Sequence, residues 1–226
     1  MTTPTTTTYD ELKNLQNDLI RKALEGSVFF APYASSLPTA LTAGASAGLV
    51  PLPDGYGDIG WCDKGDGATW SRSVDTSDVT SWGAVEPTRR DITKQTNGLK
   101  ITAQETKRST IELYEGVDLS TTVPAPTTGE ITFDSPARPQ TRYFRVLGLF
   151  QDGVGADAIY VAKLLPKANV TDTGDQKWTD GDDPVGYEVT LTANYDEVSK
   201  TAIRHFFGGP GWRSRLEDMG FPAVTP

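Results

Sequence analysis

Apolar and polar positions alternate with period 2 from Leu99, where Leu99, Ile101 and Ala103 interleave with Lys100, Thr102 and Gln104. That is the pattern of a half-buried strand. It changes after Glu105. Ser109 and Glu112 have the spacing of a capping box, and Ile111, Tyr114 and Val117 share one helical face. Ile111 and Leu113 would equally continue the alternation; strand followed by short helix is the reading adopted. Residues 141–153 are apolar on both faces, with Tyr143, Leu147 and Leu149 on one and Phe144, Val146 and Phe150 on the other. This predicts a central strand covered on both sides. Residues 157–166 read as the returning strand, ended by Pro166. The cleanest alternation is at 186–196, where Tyr187, Val189, Leu191, Ala193 and Tyr195 face the core and Glu188, Thr190, Thr192 and Asn194 meet water. Shorter strands are predicted at 27–32, at an edge and ended by Pro32, at 130–134 and at 201–209. The tail beyond shows no helix-scale period.

The first hundred residues differ in kind. The threonine- and proline-rich stretch 1–8 buries little and reads as disordered. Thr8 or Asp10 can cap a helix over 10–25 that ends at Gly26, with Leu12, Leu15, Leu19 and Ala23 as one stripe. That stripe needs a surface, either its own domain or a neighbouring subunit. Residues 33–55 have no sustained period and read as a connection that covers apolar surface. Residues 55–63 read as a strand holding Tyr56, Ile59 and Trp61. A turn at 64–67 and a return over 68–75 follow. Through 56–97 the strand formers come with little core, the pattern of either a protruding hairpin ribbon or a surface meander. An exposed Trp82 on a ribbon calls for a partner.

Composition narrows the chemistry. The chain has 226 residues, a net charge of -9, one histidine and one cysteine. Tight wrapping of nucleic acid requires clusters of Lys and Arg, which this balance opposes. A lone cysteine, Cys62, allows no intrachain disulfide and no cysteine zinc site, and reads as a small buried hydrophobe. His205 reads as a satisfied structural residue. Asp172 to Glu197 holds eight acids against Lys177; the acid-rich stretch 172–183 could attract a divalent cation, but the calcium-loop pattern is incomplete and a solvated acidic loop fits better. No phosphate-cradle motif or catalytic constellation is present. No apolar run is long enough to span a membrane, and the N-terminus lacks the regions of a signal peptide. The expectation is a protein without cofactor or catalytic activity, synthesised inside a cell.

Five segments, in order, carry a resemblance: LIRKALEGSVFFAPYASSLPTAL at 19–41, GYGDIGWCDKGDGATWSRS at 55–73, VTSWGAVEPTRRDI at 79–92, ITAQETKRSTIELYEGVD at 101–118, and YFRVLGLFQDG with IYVAKLLPKANVT over 143–171. Together they resemble the major tail tube proteins of long, non-contractile-tailed phages, particularly those of actinobacteria. The resemblance implies a mainly β, two-sheet sandwich or barrel-like fold with a flanking helix, a long stacking hairpin and terminal arms. It implies homo-hexameric rings stacked into a helical tube in the virion tail. Tape-measure, tail-tip and tail-terminator proteins would be its partners, and DNA would pass through the lumen without specific binding.

On this reading 1–26 is the N-terminal arm and helix, 27–205 the single sandwich domain with 56–97 as its extended hairpin, and 206–226 a C-terminal tail. Candidate stacking residues are Trp70, Val79, Trp82, Arg89 and Arg90; candidate arm-packing residues are Leu12, Leu15 and Leu19. Two other classes compete. One is another virion sandwich, such as a capsid decoration or head–tail joining protein. The other is a carbohydrate-binding or adhesion module using Trp61, Trp70, Trp82, Trp178 or Trp212 as stacking platforms.

Overall fold

The structure is a computed structural model and describes residues 6–223. Most of the predicted 1–8 stretch and the last three residues of the tail lie outside the described residues. In chain order the strands are β1 (Glu25–Pro32), β2 (Thr42–Ala43), β3 (Gly48–Leu49), β4 (Gly57–Asp58), β5 (Ala68–Val79), β6 (Arg89–Ala103), β7 (Phe144–Asp152), β8 (Ile159–Thr173), β9 (Tyr187–Ala193) and β10 (Arg204–Gly208). The helices are α1 (Tyr9–Leu12), α2 (Arg108–Glu115) and α3 (Pro210–Ser214).

Strand β8 joins two sheets. Its first half pairs β7 on one side and β10 on the other, and its second half pairs β9. The strand path is β4-β1-β7-β8-β9-β6-β5, antiparallel throughout, with β10 branching from β8. Between the two halves lies Pro166. Val146 is opposite Leu165 and Phe144 opposite Ala168, so Pro166 and Lys167 together face the single residue Arg145. This is a β-bulge, where a residue without an N–H is tolerated and the strand bends. Pro166 therefore does not end the strand, as the sequence suggested; it turns β8 from one sheet into the other.

The main core lies between the sheets. Val28, Phe30 and Val146 from the β1–β7 side meet Leu99, Ile101, Val189 and Leu191 from the β6–β9 side, with Leu165 and Ala168 of β8 between them. Helix α2 closes one end of the sandwich. Thr110 and Leu113 are its buried positions, Ile111 and Tyr114 are half-buried, and Val117 is buried just beyond the helix end. Lys107 is the N-cap and makes no side-chain cap bond, so the Ser109–Glu112 capping box does not form. Glu112 instead accepts from the Leu119 N–H at 3.0 Å, and Gly116 ends the helix in the left-handed region at φ 68°.

The outer face of the β1–β7–β8 sheet carries a second core. Leu147, Leu149, Ala162, Leu164 and Phe206 are covered by Leu37, Leu41, Leu52 and Tyr56 from the 33–56 connection. This bears out both the two-faced strand and the covering role of that connection. The connection is fastened by a buried polar cluster. The Tyr33 hydroxyl donates to Asp196 Oδ1 at 2.7 Å, and the Ser199 N–H donates to Oδ2 at 2.8 Å. Arg145, itself buried, donates to the Pro166 carbonyl at 3.0 Å, and its guanidinium lies 4.9 Å from the Tyr33 ring centre. Burial raises the Asp196 carboxyl, but the bonds from Tyr33 and Ser199 and the Arg145 charge outweigh it and hold the group below its ordinary range.

Other expectations are corrected. The helix over 10–25 is reduced to α1 and a 3-10 turn at Asn17–Leu19, and Gly26 belongs to β1. The 55–63 strand shrinks to β4 plus a bridge from Cys62 to Ala103, and Trp61 is exposed. Residues 68–75 pair with β6, not with 55–63. No strand forms at 130–134, and Ile131 there is exposed. His205 is exposed on β10, and the tail forms the short helix α3.

Asp196→Asn is predicted to lower stability at neutral pH by about 1–3 kcal/mol, since a charged acceptor of two hydrogen bonds is lost. Because the carboxyl is held low in the fold, its contribution is present above its unfolded pKa and lost as pH falls through the folded one. Urea unfolding at several pH values should show the gap between wild type and variant closing below about pH 4.

Candidate assembly surfaces

Among the described residues the informative surfaces lie on the outside. The longest is the β5–β6 hairpin. Its base belongs to the sandwich, where Trp70 and Leu99 are opposite one another and Trp70 packs on the main core. A β-carbon at Gly148 would come within 2.7 Å of the Trp70 ring, so glycine there makes room for the indole. Beyond Arg72 and Asn97 the two strands continue as a ribbon to Val79 and Arg89, with one register shift at Asp75/Thr76. At 3.3–3.4 Å per residue, the fifteen residues of β6 span about 50 Å.

Local bonds hold the ribbon together. Arg90 donates two bonds to the Asp78 carboxylate, at 2.7 and 3.0 Å, and Arg89 Nε donates to Asp91 at 2.7 Å. The Arg90 bonds hold the Asp78 carboxyl below its usual range. At the tip the Thr88 N–H donates to the Val79 carbonyl at 2.9 Å, and Gly83 turns at φ 85°. Trp82 and Val85 there are fully exposed, and Val79 and Ile92 are exposed behind them. Four of the five candidate stacking residues thus lie on the free part of the ribbon: Val79, Trp82, Arg89 and Arg90. Trp70 lies at its root and packs within the subunit.

A second surface is the open face of the β5–β6–β9–β8 sheet. The positions that alternate with the core residues are Thr69 on β5, Lys100 and Thr102 on β6, Glu188, Thr190 and Thr192 on β9, and Thr171 on β8. Among these positions the one basic group, Lys100, pairs with Glu188 at 2.9 Å, and that bond raises the ammonium pKa. Asp172, opposite Thr190, adds a further acid. The wall is short, hydroxyl-rich and neutral to acidic. Reading the sequence by core positions alone missed it, although the signal was there in the threonines that interleave with Leu99, Ile101, Val189 and Leu191.

The third surface is the N-terminal arm. Leu12 and Leu15 are 70% and 82% exposed and Leu19 is half-buried, so the predicted stripe meets no continuous surface in its own chain. Cys62 is half-buried, and burial pushes its thiol up to about 11, which rules out a thiolate at neutral pH. Among the described residues no group of three or more His, Cys, Asp or Glu is placed to hold a metal ion.

Residues 13–204 match the family model described as "Phage tail tube protein". The chain belongs to the phage tail tube protein family. It is therefore a structural tail protein, and its mainly β sandwich with a flanking helix is the fold the sequence led us to expect. A chain from the "Cryo-EM structure of the anti-feeding prophage (AFP) baseplate, 6-fold symmetrised" is similar at 13% identity, with a TM-score of 0.44, over 93% of this chain and 99% of that one. No curated protein matches this tail tube protein.

Among the described residues nothing covers the ribbon of this tail tube protein, whose residues 71–90 are all exposed, and isolated two-stranded ribbons are marginal. Amide hydrogen exchange on the free subunit should therefore divide β6: amides of 98–103 protected to near the global level, those of 89–95 exchanging by local opening. Uniform protection along the whole strand would contradict this.

Proposed function

We propose that this protein is the repeating subunit of a phage tail tube, in which copies close into homo-hexameric rings and the rings stack into the conduit through which the genome is ejected. The observation that carries this reading is the ribbon. A self-sufficient sandwich extends a long hairpin whose tip exposes Trp82 and Val85 and which its own fold leaves uncovered. A hairpin of that length and exposure serves to bridge one ring to the next. Val79, Trp82, Arg89 and Arg90 are its contact residues, and Trp70 anchors its root. The sandwich is the ring-forming body, with β10 carrying it to Gly208, and the N-terminal arm and the tail beyond β10 are peripheral parts.

The open threonine-rich sheet face is the lumenal wall. A wall with one paired lysine and excess acid offers duplex DNA neither a phosphate-binding cluster nor counterion release, so DNA slides along it. In the virion tail the tube would meet tape-measure, tail-tip and tail-terminator proteins, as the resemblance to tubes of long, non-contractile actinobacterial phages implies.

Replacing residues 76–93 by Asn-Gly closes β5 and β6 with a two-residue turn next to the Asp75–Lys94 pair. The shortened subunit should keep wild-type thermal unfolding of its core but yield no tubes in electron micrographs. Normal tubes from it would reject the ribbon assignment. Separately, Thr190→Lys with Thr192→Lys should leave assembly intact but make tubes retain duplex DNA, with affinity falling as salt rises. If DNA retention is unchanged, this face does not line the channel.

A further inference from the structure

Independently of any assembly, we infer that an internal water sits between Arg145 Nε and the Tyr56 hydroxyl, and that through it both ends of the 33–56 connection are tied to one guanidinium.

Topology puts the two side chains in one row. Ala31 of β1 is opposite Arg145 of β7, and Phe30 is opposite Gly57 of β4. Tyr56, one step before Gly57, therefore flanks Ala31 from the other side. Directly opposed residues share a face of the sheet. Phe30 and Val146 point into the main core, so Ala31 and Arg145 point the other way, toward the second core on which Tyr56 packs. Neighbouring strands are about 4.8 Å apart, so the Tyr56 and Arg145 backbones stand roughly 10 Å apart. Only the methyl group of Ala31 lies between them, and Ala31 is 2% exposed. Two long side chains with polar ends thus meet over a small, covered one. The guanidinium charge is felt at the phenol: burial pushes the Tyr56 hydroxyl up to about 12, and Arg145 works against that rise.

Both polar ends lack a protein partner. Arg145 donates through Nη1 to the Pro166 carbonyl, but its Nε is buried and has no acceptor among the described residues. The Tyr56 Oη is likewise buried and without a partner there. Asp196 accepts from Tyr33 and Ser199 rather than from Arg145. A buried donor on a charged group is the costliest kind to leave unmade, and deep polar sites are ordinarily completed by water. One water serves both atoms, since its oxygen accepts from Nε–H and it exchanges a further bond with the hydroxyl. An anion fits less well. The Asp196 carboxylate is fully buried in the same cluster and lies close enough for Arg145 to act on it. Lys167, the other cation nearby, rests over the Tyr33 and Tyr143 rings. With the water in place Arg145 holds the start of the connection by the Tyr33 ring, at 4.9 Å, and its end by the Tyr56 hydroxyl.

The test pairs a map with a substitution, both on the full chain. A crystal or cryo-EM map that resolves ordered water should show one peak within about 3.2 Å of both Arg145 Nε and Tyr56 Oη. No peak there, or Nε turned onto a protein acceptor, overturns the inference. A bromide-soaked crystal with an anomalous peak at that place makes the ligand an anion and overturns the water. In urea unfolding, Tyr56→Phe should lower the folding equilibrium constant about fivefold, the loss of one net hydrogen bond. In an Arg145→Met background the same change should cost less than about twofold, because the water has lost its other anchor. A Tyr56→Phe chain as stable as wild type or more so is the result expected of a hydroxyl that nothing serves. It overturns the inference whether or not the Arg145→Met chain folds.

Discussion

The bend of β8 at Pro166 is the constraint on which the rest of the fold depends. A proline cannot donate to a ladder, and here the ladder is interrupted by a bulge so that Pro166 and Lys167 oppose Arg145 alone. The strand before the bulge is held by β7 and β10, and the strand after it by β9. One strand thus fixes the angle between two sheets without a loop. The bulge also turns the Pro166 carbonyl to the buried Arg145, next to Tyr33 and Asp196. The covering connection, the bend and the 196–201 turn are therefore fastened at one point.

From that bend follows an asymmetry between the sheets. The β1–β7–β8 sheet is covered on both faces, by the main core and by the 33–56 connection. The β5–β6–β9–β8 sheet is covered on one face only, and its other face is a lattice of short polar side chains. The ribbon is a continuation of two strands of this second sheet, so the uncovered wall and the protruding hairpin are mechanically one element. On the tube reading, the strands that line the channel of one ring are the strands that reach toward the next.

Where burial imposes a period, the sequence was readable. Leu99–Ala103, Phe144–Phe150 and Tyr187–Ala193 alternate because one or both faces meet a core, and each is a strand with the expected faces. Where conformation depends on groups distant in sequence, it was not. Pro166 looked like a terminator because the bulge that accommodates it depends on pairing with another strand, opposite Arg145. Ser109 looked like a cap because spacing does not reveal that Glu112 is taken by the Leu119 N–H. The 130–134 segment and the 10–25 helix have correct local patterns, yet Ile131, Leu12 and Leu15 stay exposed. The candidate ribbon residues were legible from apolar side chains stranded in a polar stretch. The polar wall was overlooked because threonines at alternate positions look like ordinary solvent-facing residues until the whole sheet is assembled.

The central claim is that the open face of the second sheet lines a channel made by many copies. A cryo-EM map of filaments assembled from the purified subunit tests it most directly. The account predicts a hollow tube whose inner surface carries Lys100, Thr190 and Thr192, with the Trp82 hairpin crossing into the adjoining ring. A tube with that face buried between subunits or turned outward, with the hairpin on the outer surface, would contradict it.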